Sequence, residues 1–378
     1  MRDPMARLHL IGERSEQLFV RGQGSWLWDA DGQAYLDFYQ GHGSNALGHS
    51  PKRLLEAMTR QGELLINPGM RQCNRGQLKL ASRLCQATGS ERVAFCADAA
   101  HANELAVNLA LRWAQVNKPN AQRVMLSQGH ALLANGGLRS AVDAVPFNDL
   151  AAIDAALDEH CACLLLQPIE PRSMQPASLE YLQGAQRLCR ERGVLLILDE
   201  TACGMGRSGA LLSEELYGVR ADLLTLGSSL AGGLPLAAVL ARGGVCADEH
   251  KPMDELAGEA LLTAAGVAVL SAVLEGGFLE HVQSAAAHLR EGLTRLGRRL
   301  GHGPVRGHGL LLGLELNGQN AHQVVEHAQR EGLLLSAASD DCLCLSPALS
   351  VSHGSVEQML RRLERALARA EQFSAEVA

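Results

Sequence analysis

Leu179-Glu-Tyr-Leu-Gln-Gly-Ala-Gln-Arg-Leu-Cys-Arg-Glu-Arg192 runs through a single glycine into Val194-Leu-Leu-Ile-Leu-Asp-Glu200. The first part spaces its apolar residues three and four apart among good helix formers, which predicts a helix. The second is a short, unbroken apolar run closed by two acids, as expected of a strand covered on both faces. Working outward, further runs of this kind are Val93-Ala-Phe95, Arg123-Val-Met-Leu126, Cys163-Leu-Leu-Leu166, Leu223-Leu-Thr-Leu226 and Ala237-Ala-Val-Leu240. A second helical pattern covers Ala102 to Val116. Helices alternating with two-face-buried strands specify an α/β unit on a mainly parallel sheet.

Another unit begins near Leu261. It has a helical stretch to about Leu300, a strand over Gly309-Leu-Leu-Leu-Gly-Leu-Glu-Leu316, and a last helix with Val356, Met359, Leu360, Leu363 and Leu367 along one face. Ahead of the sheet, Trp26-Leu-Trp-Asp-Ala-Asp-Gly-Gln-Ala-Tyr-Leu-Asp-Phe38 alternates around Asp31-Gly32 and predicts a β-hairpin. The expected organisation is an N-terminal segment over residues 1–44 packing with the small domain, a large α/β domain over 45–260 and a small α+β domain over 261–378. Internal repeats and low-complexity linkers are not evident.

Composition removes several function classes. In 378 residues, 34 Lys and Arg are outnumbered by 41 Asp and Glu, for a net charge of -7. With no basic stripe, nucleic acid is excluded as the expected partner. Charges interrupt every apolar stretch of the N-terminus, so it does not read as a secretory signal. Nor does any window approach eighteen consecutive apolar residues, so no membrane span is expected. Ten cysteines sit mostly inside apolar runs, as buried free thiols of a cytoplasmic protein would. The Cys161-x-Cys163 and Cys342-x-Cys344 pairs lack partners at zinc spacing, so no metal is expected. Lysine is scarce: Lys52, Lys79, Lys118 and Lys251 are the four, against 30 arginines. Any chemistry that needs an amine has few candidates.

In chain order come Phe19-Val-Arg-Gly-Gln-Gly-Ser-Trp-Leu-Trp-Asp-Ala-Asp-Gly32, Tyr35-Leu-Asp-Phe38, Asn45-Ala-Leu-Gly-His49, Ala102-Asn-Glu104, Leu196-Ile-Leu-Asp-Glu200, Gly204-Met-Gly-Arg-Ser-Gly209, Gly232-Gly-Leu-Pro235 and Val305-Arg-Gly-His-Gly-Leu310. Together they resemble the class III, pyridoxal-phosphate-dependent aminotransferases of fold type I, most closely the acetylornithine and ornithine aminotransferases. The resemblance runs nearly end to end. It implies a large domain with a mainly parallel seven-stranded sheet, a smaller C-terminal α+β domain, and a homodimer with cofactor sites at the subunit interface. Function still has to be argued from the site.

That chemistry needs a lysine amine to hold the cofactor, an anion cradle for its phosphate and a carboxylate to keep its ring nitrogen protonated. Asp199 matches the family's pyridine-binding aspartate; on the residues alone, an aspartate after a buried strand also serves simply to cap the next loop. The family's lysine lies in a T-L-x-K-G-L-G-G-G pattern, and Thr225-Leu-Gly-Ser-Ser-Leu-Ala-Gly-Gly233 puts Ser228 at that place. A serine cannot form the imine. Lys52, Lys79 and Lys118 fall outside the matching motifs, and Lys251 sits in a His-Lys-Pro turn that reads as a solvated loop.

The resemblance implies losses elsewhere too. The S-G-A/T cradle falls on Asp98 and Ala99 at a helix N-terminus, where Asp98 is suited to cap its own helix. Glu255 aligns with a threonine that reaches the phosphate across the interface. Two like charges at about 5 Å repel by roughly 3 kcal/mol at an effective dielectric of 20, so either carboxylate opposes a phosphate dianion. His130 aligns with the aromatic that covers the pyridine ring and can still stack. Ala202 falls on a glutamine that touches the ring hydroxyl, while Leu133 and Cys344 fall on arginines that clamp substrate carboxylates. Arg207 is retained.

The expected function is therefore an aminotransferase homologue with a degenerate site, holding no cofactor and acting as a dimeric binding, regulatory or scaffolding protein. Its partners would be an active relative or an amino-acid-like ligand. A competing reading keeps transamination between an amino acid and a 2-oxo acid with non-covalently held pyridoxal phosphate. A third places unrelated chemistry on His101, His130 or Cys203.

Overall fold

The computed structural model describes residues 17–69, 72–127, 142–246 and 257–377. The chain opens on β1 (Phe19–Gln23), β2 (Trp26–Asp29) and β3 (Ala34–Asp37), paired antiparallel. The turn between β2 and β3 falls where Asp31-Gly32 predicts it. Asp29 Oδ1 accepts from the amides of Asp31 and Gln33 at 3.1 and 2.8 Å, and Gly32 supplies a φ of +82° that a side chain would resist.

The large unit follows: α1 (Lys52–Gly62), α2 (Arg75–Thr88), β4 (Arg92–Cys96), α3 (Ala99–Asn117), β5 (Arg123–Ser127), β6 (Val142–Val145) and α4 (Leu150–Ala156). Then come β7 (Cys161–Leu166), α5 (Leu179–Arg192), β8 (Leu195–Asp199), α6 (Glu214–Tyr217), β9 (Leu223–Leu226) and β10 (Ala237–Ala241). Among the described residues these build one seven-stranded sheet of order β4-β10-β9-β8-β7-β5-β6. It is parallel except for β10, which runs antiparallel to both neighbours. The expected mainly parallel seven-stranded sheet is thus observed. Its edge strand β6 has no apolar run to announce it, because three of its four residues are exposed.

Period-two alternation splits the strands between two cores. Leu164, Leu166, Leu196, Leu198, Leu224 and Leu226 face one side; Cys163, Leu165, Leu195, Ile197 and Leu223 face the other, which α3 covers. Both faces being apolar explains why β7 and β8 are buried at every position.

The C-terminal part contains α7 (Ala260–Val273), α8 (Phe278–Leu300), β11 (Val305–His308), β12 (Leu311–Glu315), α9 (Ala321–Arg330), β13 (Leu333–Leu334), β14 (Ser336–Ser339), β15 (Cys342–Leu345) and α10 (His353–Val377). Two expectations need correction. The helical stretch from Leu261 to Leu300 is two helices set at 73°, broken at Glu275-Gly-Gly277, where Gly277 takes a φ of +84°. The strand expected from Gly309 starts at Leu311. Gly309, at φ +55°, forms the turn and lies so close to Arg207 that a Cβ would stand 2.2 Å from its carbonyl oxygen.

β11, β12, β15 and β14 form an antiparallel sheet, while β13 pairs in parallel with β3 and completes the N-terminal sheet. On α10, Val356, Met359, Leu363 and Leu367 are buried as their spacing requires, whereas Leu360 is half-buried against Gly292 of α8. No single helix among the described residues is long and apolar enough to cross a membrane.

Candidate functional site

Three polar residues stand at or near the carboxyl ends of three adjacent parallel strands on the α3 face. Continuing the alternation, Gln167 follows Cys163 and Leu165, Asp199 follows Leu195 and Ile197, and Thr225 follows Leu223. Parallel sheets present groups to ligands at these carboxyl ends. Asp199, in register with Thr225, is buried, and its Oδ2 accepts from Asn103 Nδ2 at 2.9 Å and Gln167 Nε2 at 3.1 Å. Its Oδ1 accepts from the Thr201 amide at 2.9 Å. The Thr225 hydroxyl spends its one hydrogen on Asn103 Oδ1 at 2.7 Å, which fixes the asparagine so that its amide points at Asp199. A carboxylate held by this many donors is oriented before any ligand arrives.

A cavity of about 130 Å³ opens beside it. Asp199, Gln167, Ala202 and Cys203 line it from the large sheet, and Leu311, Cys344 and Ser346 from the C-terminal sheet. His42, in an N-terminal loop, and Met174 close the wall. Burial lowers the His42 pKa, so its ring is neutral at neutral pH. The thiols are also uncharged there: burial pushes Cys344 up to about 11, with Ser336 and Arg207 pulling the other way, and raises Cys203 well above its ordinary value. A thiol so raised is a poor nucleophile, which counts against chemistry on Cys203.

Of the positions singled out in the sequence, Asp199, Ala202 and Cys344 thus share one cavity. Asp98 caps α3, accepting from the His101 amide and meeting the His101 ring Nδ1, each at 2.9 Å. Burial pushes its carboxyl up, but the His101 amide and ring, with the Ala100 amide, outweigh this and leave the pKa lowered. Ala99 is the first residue of α3. Asn103 lies five residues beyond Asp98, or about 7.5 Å along the helix axis. Ser228 starts a 3-10 turn directly after β9 and is not among the described residues that line the cavity. His130, Leu133, Glu255 and Lys251 lie outside the described residues. Sequence reasoning missed Asn103, Gln167, Thr225, His42 and Met174. Gln167 and Thr225 carried a signal, being polar residues just after or inside apolar runs; Asn103, between Ala102 and Glu104, did not.

Glu200 has a different task from Asp199. Fully buried, it accepts from the Ser213 and Glu214 amides at 2.6 and 2.7 Å. Burial pushes it up to about 7, against the pull of those amides and with the added push of Glu214. The native state therefore holds this proton longer than the unfolded chain, whose ordinary value is 4.5. The contribution is most favourable below that value and is lost as pH rises toward 7, by about 3 kcal/mol. Urea unfolding at pH 5 and pH 8 should show that loss, and Glu200→Gln should lack it; an unchanged slope would exclude Glu200 as its source.

Comparison with known proteins fits this geometry. The model of the family described as "Aminotransferase class-III" matches residues 12–132 and 138–367. Acetylornithine aminotransferase 2 of Bordetella bronchiseptica is 36% identical over 379 residues, covering 95% of this chain and 96% of the relative. The succinylornithine transaminase/acetylornithine aminotransferase of Pseudomonas aeruginosa is 32% identical over 376 residues, covering 93% and 92%. Among solved structures, N-acetylornithine aminotransferase from Stenotrophomonas maltophilia superimposes with a TM-score of 0.87 at 30% identity, covering 94% of this chain and 96% of that one. The ornithine aminotransferase of Toxoplasma gondii gives 0.90 at 25%, covering 97% and 94%. With this match running nearly end to end and the strand-end site in place, the chain belongs to the class III aminotransferases, a pyridoxal-phosphate-dependent family.

Proposed function

We propose that this chain is an acetylornithine aminotransferase-like protein that does not carry out Schiff-base transamination, and that it works as a dimeric binding, regulatory or scaffolding protein in the cytoplasm. The observation that carries this reading is where the described lysines stand. Lys52 is exposed and pairs with Glu56 at 3.7 Å, and Lys79 lines a groove between α1, α2 and α7. The Lys118 ammonium donates to the carbonyls of Asp158, Cys161 and Arg192, at the end of the strands opposite Asp199. None of the three reaches the Asp199 cavity. A phosphate at the start of α3 would meet the Asp98 carboxylate, and the described lining of the cavity includes no arginine or lysine. These residues do not fit pyridoxal phosphate.

Other features suit the rest of the reading. Ten free cysteines, seven of them buried, agree with a reducing compartment. Leu64, exposed in the α1–α2–α7 groove, and exposed Leu55, Leu65, Ile66 and Leu78 on and between α1 and α2 offer apolar surface for a second copy.

Overnight incubation with pyridoxal phosphate followed by borohydride should leave no lysine adduct by mass spectrometry; a stoichiometric adduct would sink this reading. A second reading, transamination with non-covalently held cofactor, is favoured by the donors that orient Asp199. In the same incubation it requires cofactor fluorescence that Asp199→Ala abolishes.

A further inference from the structure

Met174 has the backbone of a glycine and the burial of a core residue. Its φ is +55°, in the left-handed region that bulky side chains avoid, yet the residue is 3% exposed. The surrounding loop holds that backbone in place. An isolated bridge joins Ile169 to Pro176, and the Glu170 and Ala177 amides donate to the Gln175 and Pro168 carbonyls, each at 2.8 Å. The Glu170 carboxylate accepts from the Arg172 and Ser173 amides at 3.1 and 2.6 Å and from the Ser173 hydroxyl at 2.5 Å.

Space for the side chain comes from the opposite sheet. A Cβ on Gly313 of β12 would stand 2.6 Å from both Cβ and Cγ of Met174. Gly313 is the partner of Cys344 in the β12–β15 register, and Cys344 lines the same cavity as Met174 and Asp199. The loop therefore drives an unbranched side chain across the cavity and into a notch in the C-terminal sheet. Ile169, Cys203, Leu311 and Cys342 pack around it.

We infer that Met174 is the specificity-determining residue of the Asp199 cavity, limiting it to ligands with a single ring. The inference rests on the reading of this cavity as a ligand site. An apolar cavity of about 150 Å³ takes up one benzene, and the cavity here is about 130 Å³. Pyridine and quinoline share a ring nitrogen that donates to Asp199 once protonated and differ by one fused ring, so they probe the limit directly.

Calorimetric titration of wild type should show pyridine bound at least tenfold more tightly than quinoline. Met174→Ala and Met174→Gly should each erase at least tenfold of that preference, while Met174→Leu keeps it. A preference unchanged in either shortened variant, with circular dichroism showing it folded, overturns the inference and leaves the ligand-site reading intact. Wild type that binds neither probe overturns the ligand-site reading, while a gain of quinoline in the shortened variants would still support the size limit. Because glycine alone relaxes at a φ of +55°, Met174→Gly should also melt above Met174→Ala; the reverse order would remove the strained backbone from the account.

Discussion

The double variant Ser228→Lys, Asp98→Ser is expected to take up pyridoxal phosphate covalently, with one pyridoxyl group per chain at position 228 after borohydride reduction, where wild type carries none. The new amine would stand three residues beyond Thr225, the register partner of Asp199, on the turn that follows β9. The second change is included because charge opposes the cofactor. At about 5 Å and an effective dielectric of 20, a single pair of like charges costs roughly 3 kcal/mol, or about a hundredfold in affinity. Serine removes the charge at 98 and still caps α3, since its hydroxyl can accept the His101 amide as the carboxylate does now. Ser228→Lys alone should need at least tenfold more cofactor for the same labelling. No adduct in the double variant, nor after Glu255→Thr is added to it, would mean that position 228 does not face the site. Equal labelling of single and double variants would mean that Asp98 lies out of the phosphate's path.

Much of the site's position was legible in the sequence, for a specific reason. Strands buried on both faces carry few polar residues before they end, so Asp199 stands out against Val194-Leu-Leu-Ile-Leu198 as Gln167 does against Cys163-Leu-Leu-Leu166. Helix α3 was legible as a helix, but its Asn103 reads as one polar residue among Ala102, Leu105 and Ala106. Its role appears only when the β8–β9 register brings Thr225 and Asp199 to it.

Met174 was hidden for the opposite reason. Methionine in a Ser-Met-Gln loop carries no turn signal, and its left-handed backbone is imposed by Glu170 and by the Gly313 notch about 140 residues away in sequence. Breaks such as Glu275-Gly-Gly277 were written locally but masked by helical spacing on both sides. Long-range pairing also decides β13, two residues too short to read as a strand until β3 is beside them.

Glu214→Gln is expected to lower the unfolding free energy by about 3–5 kcal/mol, because it strands a buried cation. The Arg242 and Glu214 side chains are 7% and 6% exposed and meet as a fork, Nη1 to Oε2 at 3.0 Å and Nη2 to Oε1 at 2.7 Å. Arg242 also donates to the carbonyls of Ala221 and Thr88, at 3.2 and 2.7 Å, and Glu214 accepts from the Ala221 amide at 3.0 Å. The pair thus ties together the end of α2, the start of α6 and the residue after β10. Its geometry is incomplete, since Arg242 Nε has no hydrogen-bond partner among the described residues. Removing both charges in Arg242→Met, Glu214→Leu should therefore restore stability to within about 2 kcal/mol of wild type, leaving mainly the two carbonyls and one amide to find water. Glu214→Gln carries a second signature. The Glu214 charge is one of the causes that raise Glu200, so without it the Glu200 pKa falls and the pH range over which stability is lost narrows from above. Urea unfolding of the three proteins between pH 5 and pH 8 measures both effects. A Glu214→Gln protein within about 1 kcal/mol of wild type, or a double variant no more stable than the single, would show that desolvation of the pair does not govern this part of the fold.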